Sequence, residues 1–108
     1  MKYTLFLDDE RVPSSDLIVT TENLAICRTY DDAVETVLRL GMPEHICFDH
    51  DLGEYSRTGH EFAHWLVLYA FRTKPYPEIK YSIHSQNPIG AGNIKGVLDN
   101  YHKYKDIL

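Results

Sequence analysis

The chain has 108 residues, 44% of them hydrophobic, and a formal net charge of -5 at pH 7. That size and composition point to one domain with a core of its own. The negative balance excludes broad nucleic-acid binding, which needs a basic footprint to displace counterions, but it leaves room for one specific phosphate contact.

From the start, residues 3–7 are a short β-prone run that ends in Asp8-Asp9-Glu10-Arg11. Residues 11–22, with Pro13, Ser14, Ser15 and two threonines, read mainly as loop, so any helix there is brief. Residues 24–29 are a second strand. Asp31 or Asp32 then caps a helix that carries Ala33, Val34, Val37, Leu38 and Leu40 at helical spacing until Gly41 ends it. The third strand, residues 45–48, runs into Asp49-His50-Asp51-Leu52-Gly53 and a polar loop to Thr58. A helix over 59–72 follows, which Pro75 and Pro77 stop from continuing. Residues 79–84 are the fourth strand. Asn87-Pro88 has the cap and first-turn chemistry of a helix start, and a last helix, weakened by Gly90, Gly92 and Gly96, runs towards Tyr104.

Strands alternating with helices imply an α/β domain with a parallel sheet covered on both faces. Right-handed crossovers make a small doubly wound sheet in the order 2-1-3-4 the simplest layout, as one domain over residues 1–108. Ligands of such sheets sit at the carboxyl ends of the strands beside the point where the order reverses, between the first and third strands. Both acidic clusters fall there. The first strand also separates Cys27 from Cys47, and outer strands about 10 Å apart are too far for a disulfide. Both cysteines lie in apolar runs and no basic-apolar leader precedes them, so a cytoplasmic protein with reduced thiols is expected. No apolar run approaches the roughly 20 residues that cross a bilayer, which excludes membrane insertion.

A buried strand that ends in several acids has no packing reason to do so, because like charges repel unless they share a cation or a proton. Hard oxygen ligands from Asp8, Asp9 and Asp49 suit a partly hydrated Mg²⁺ or Mn²⁺ completed by a substrate phosphate, with Asp51 a weaker candidate that also shapes the turn before Gly53. His50 and His84 reach the same rim and can divide general base and general acid roles across a phosphate, with Asp49 beside them. Arg11, Ser85, Asn87 and Asn93 are candidate anion holders, helped by the free N–H groups of a helix start. A competing motif, His60-Glu61-Phe62-Ala63-His64, matches the zinc-hydrolase pattern H-E-x-x-H. It needs a third ligand, for which Glu78 or His84 would have to serve, and a chance pairing on the polar side of a helix explains it as well. Tyr101 and Tyr104 with His102, Lys103 and Lys105 could stack on a base but read better as an amphipathic helix end.

The runs LFLDDERVP, FDHDLG and IHSQNPIGAGNI, with Gly59 and Trp65-Leu66 between the last two, together resemble the cyclic-phosphate processing receiver-like domain. That family is a small branch of the response-regulator receiver fold found in bacteria and phages, and the likeness spans nearly the whole chain. The resemblance implies a receiver/flavodoxin-like fold in which Asp8 and Asp9 stand for the Mg²⁺-holding acids, Asp49 for the phosphorylatable aspartate and Ser85 for the small hydroxyl residue. The first helix is degenerate, and the fifth strand with its lysine is missing, which removes the charge that stabilises an aspartyl phosphate. The expected function is therefore metal-assisted hydrolysis of a cyclic phosphate, such as a 2′,3′-cyclic RNA end or a cyclic nucleotide. The alternatives are a non-enzymatic receiver-derived module that binds a nucleotide or a partner protein, and a zinc-dependent hydrolase working through residues 60–64.

Overall fold

A computed structural model describes residues 2–10, 23–49, 51–53 and 57–107. Its four strands are β1 (Thr4–Leu7), β2 (Leu24–Cys27), β3 (His45–Phe48) and β4 (Lys80–Ile83), all parallel and in the order β2-β1-β3-β4. Every residue of the central β1 is buried, as a strand covered on both faces requires. Three helices join them: α1 (Tyr30–Leu40), α2 (Gly59–Ala70) and α3 (Pro88–Lys105).

The β2-to-β3 and β3-to-β4 connections advance in the same direction across the sheet, so right-handed crossovers put α1 and α2 on one face. Helix α3 packs along α2 and extends that layer. The described helices thus supply one of the two expected covers, and the β1–β2 connection, where a degenerate first helix was expected, lies outside the described residues. Beneath the helices, Leu5, Leu7, Ile46 and Phe48 meet Val37, Phe62, Leu66, Ile94 and Leu98, all fully buried. The cysteines are free and buried, on strands flanking β1, and they register with Leu7 and Phe6, whose side chains point to opposite faces.

Element boundaries differ from the sequence reading at the ends. The cap of α1 is Thr29, whose hydroxyl accepts from the Asp32 amide, so neither expected aspartate caps it; Asp31 and Asp32 instead lie in the first turn, where the helix dipole favours them. Gly41 closes the helix at φ 88°, and its carbonyl accepts a 2.6 Å hydrogen bond from the Tyr3 hydroxyl. Helix α2 stops at Ala70 rather than 72, and α3 runs unbroken past its glycines because Gly90, Ile94, Leu98 and Tyr101 form a buried stripe. Tyr101 is core, its hydroxyl donating to the Pro77 carbonyl, whereas Tyr104 stays exposed.

One cross-link ties α3 to the entry of β4. The backbone N–H of buried Ile79 donates to His102 Nε2 at 3.0 Å. Replacing His102 by leucine leaves that N–H without an acceptor and is expected to cost about 1–3 kcal/mol in a urea titration. His102→Gln, whose carbonyl accepts, should recover part of the loss; an unchanged midpoint in His102→Leu would show that the bond carries no stability.

Candidate functional site

Three strand ends build the site. The sheet ladder continues one residue beyond each strand: the Asp8 amide donates to the Cys27 carbonyl, that of Asp49 to Leu7 and that of His84 to Phe48, at 3.1, 2.9 and 2.9 Å. These bonds hold the three residues in register at the carboxyl edge, beside the reversal of strand order. Alternation along the strands sends Phe6, Asp8, Asp49 and His84 to the same face. The imidazole of His84 accordingly stacks on the Phe6 ring, with centroids 5.0 Å apart and planes 6° from parallel.

The carboxylate of Asp8 is fully buried and doubly bonded. Oδ1 accepts from the Glu10 amide at 3.0 Å, and Oδ2 accepts from His84 Nε2–H at 2.9 Å. Its backbone carbonyl accepts from Arg28 Nη1 at 3.2 Å. Asp8, Asp49 and His84 each offer one ligand atom, and these atoms lie within 4.8 Å of one another. Asp49 also lines a cleft of about 290 Å³ with Asp9, Glu10, Asp51, Gly53 and Gln86. Gly53 has φ 94°, a backbone conformation that side chains disfavour, and a Cβ there would come 3.7 Å from Asp9 Oδ2.

The donor set tests the metal. Two buried carboxylates, Asp8 and Asp49, with an imidazole beside them suit a divalent cation, and their hard oxygens fit Mg²⁺ or Mn²⁺. Asp8 and Asp49 would hold it through their carboxylate oxygens, with the His84 imidazole beside them on Asp8 and with Asp9 and Asp51 in the adjoining cleft.

The remaining expected site residues are distributed differently. Ser85 and Asn87 build the start of α3: Ser85 Oγ accepts from the Asn87 amide, and Asn87 Oδ1 accepts from the Gly90 amide. Asn93 is not in the acidic cleft. Six residues past the cap, helical rotation carries it to the groove between α2 and α3. Arg11 and His50 lie outside the described residues. Sequence reasoning missed Glu10, Gln86 and Arg28 as residues of the site. Glu10 belongs to the first acidic cluster and Gln86 to the histidine-serine run, so both were in view, whereas Arg28 carries no local signal beyond following β2.

The zinc pattern on α2 finds a different use. His60 and His64 have ring centroids 4.7 Å apart, but Glu61 is committed to a capping box with Thr58, its Oε1 accepting from the Thr58 amide while Thr58 Oγ accepts from that of Glu61. Among the described residues, the one group of three or more metal-binding side chains is Asp8, Asp49 and His84.

A parallel four-stranded sheet with acids at the switch point defines a receiver-like α/β domain. Residues 3–100 match the cyclic-phosphate processing Receiver domain, and the chain belongs to that family. No curated protein matches it. Among solved structures it is similar to one titled as the yeast Spc42 trimeric coiled coil, amino acids 181-211, fused to another structure, with a TM-score of 0.58 and 20% identity. That match covers 90% of this chain and 62% of the fusion, so the chain spans less than two thirds of that structure; at this identity the likeness concerns the fold alone. None of the described helices is long and apolar enough to cross a membrane.

Proposed function

We propose that this domain hydrolyses a cyclic phosphate with the help of a divalent cation. The observation that carries this reading is the convergence of Asp8, Asp49 and His84 within 4.8 Å at the edge of an acidic cleft, in a chain of the cyclic-phosphate processing receiver family. A divalent ion held there would offset charge on the phosphate oxygens. His84 gives its Nε2–H to Asp8, which leaves Nδ1 as the acceptor nitrogen and fixes the ring between Asp8 and Phe6. In this reading Nδ1 takes a proton from the attacking water, the new P–O bond forms as one ring P–O bond breaks, and the departing oxygen is protonated by His50. Arg28, close to the Asp8 carbonyl, and Arg11 hold the anion, and Gln86 at the cleft wall adds a neutral amide. The substrate class is a 2′,3′-cyclic nucleotide or RNA end.

The test is phosphorus NMR of 2′,3′-cyclic nucleotides and of a small cyclic phosphodiester with the protein and Mg²⁺ or Mn²⁺. Ring opening is expected, with His84→Ala slower by about 10²–10⁴-fold, the usual contribution of a general acid or base. Tight binding of cation and ligand with no ring opening would instead establish a receiver-derived binding module.

A further inference from the structure

A second concavity, away from the acidic cleft, is a groove of about 470 Å³ between α2 and α3, within the range of small-molecule sites. Its floor is apolar and aromatic, from Val67, Phe71, Val97 and Tyr101; the Phe71 and Tyr101 rings meet edge to face, with centroids 5.1 Å apart. Its polar groups are neutral amides, one imidazole and a phenol: Asn93, Asn100, His64 and Tyr104. Among the described residues no Lys, Arg, Asp or Glu lines it, although the chain as a whole carries a net charge of -5. The groove stays open because Gly92 and Gly96, one turn apart on α3, put no side chain into it; a Cβ at either would meet nothing within 4 Å.

We propose that this groove binds an uncharged planar heterocycle of the nucleobase class. The absence of charge selects a neutral occupant, since a charged ligand would lose its hydration without a partner. The aromatic floor favours a flat ring, with stacking and edge contacts. A carboxamide presents a donor and an acceptor side by side, the pattern that pairs with a base edge, and Asn93 and Asn100, two helical turns apart, offer it on one side of α3. This site lies on other residues than the acidic cleft and does not depend on a cation there.

The test is an amide NMR titration of the protein in EDTA with free adenosine and uridine, and with toluene as an apolar control. Nucleosides are expected to shift resonances of the groove residues and not those of Asp9, Asp51 or Gly53. Gly96→Leu fills the groove from a position with open space and a helix-favouring side chain, so it should fold with an unchanged spectrum elsewhere and bind at least tenfold more weakly. Asn100→Leu, which keeps the contact area but removes the amide, should lose a similar factor. The proposal is overturned by an absence of shifts in the groove, by toluene binding as tightly as the nucleosides, or by full binding in Gly96→Leu. It is equally overturned if the groove resonances respond to protein concentration alone and Gly96→Leu abolishes that response, because the occupant is then a second copy of the chain.

Discussion

Replacing Asp49 by asparagine is expected to weaken cation binding by about 10²-fold while leaving the metal-free protein as stable as before or more so. Asp49 is 9% exposed and sits with the fully buried Asp8, which already has the His84 imidazole as its partner. A second buried carboxylate in the same cluster opposes folding unless a cation is shared, and an amide of the same shape removes that opposition. In the unaltered protein, Mn²⁺ at a hundred times its dissociation constant should add about 2.7 kcal/mol, a shift on the order of ten degrees in Tm for a domain of this size. In Asp49→Asn the shift should fall to about a tenth of that, and ring opening should fall by about 10²-fold or more in parallel. Calorimetric melts with and without Mn²⁺ decide the matter. An Asp49→Asn protein that keeps the full metal-dependent shift would remove Asp49 from the centre.

The second large effect is on the fold. Phe62 is fully buried in α2 and touches Tyr30 edge-on, Phe48 and Trp65, with ring centroids 6.3, 6.0 and 5.9 Å away. It joins α1, α2 and β3, the strand whose end carries Asp49. Truncation to alanine deletes a buried ring that three elements share, and it is expected to cost about 3–5 kcal/mol, since the surrounding side chains collapse only in part. Against a typical total of about 5–15 kcal/mol, this leaves a marginal domain, with loss of cooperative melting at 37 °C as the readout. Phe62→Leu, which keeps most of the volume, should lose much less. A small loss in Phe62→Ala would mean that the helix layer repacks freely and that α2 does not position the third strand end.

The family membership and the site geometry support each other through the same residues. The departure from ordinary receivers that stands out in the sequence, a histidine at the end of the fourth strand, falls in the structure at the site itself. His84 occupies the edge of the sheet and donates to the buried acid.

Local sequence chemistry determined the elements. Apolar runs ending in acids marked β1 and β3, Asn87-Pro88 marked a helix start, and Gly41 marked a helix end. Each of these signals acts through neighbours a few residues apart and so is legible without the fold. From element order and the handedness of crossovers the sheet order followed as well. Only the tertiary structure decided which side chains share a space. Asp8 bonds His84 across 76 residues, Arg28 reaches the Asp8 carbonyl, and Asn93 turns away from the acids into the groove between α2 and α3. Those outcomes depend on strand register and on the rotation of each helix about its axis. Both are set by packing over the whole core, and a single rotation of about 100° per residue moves a side chain from one site to another.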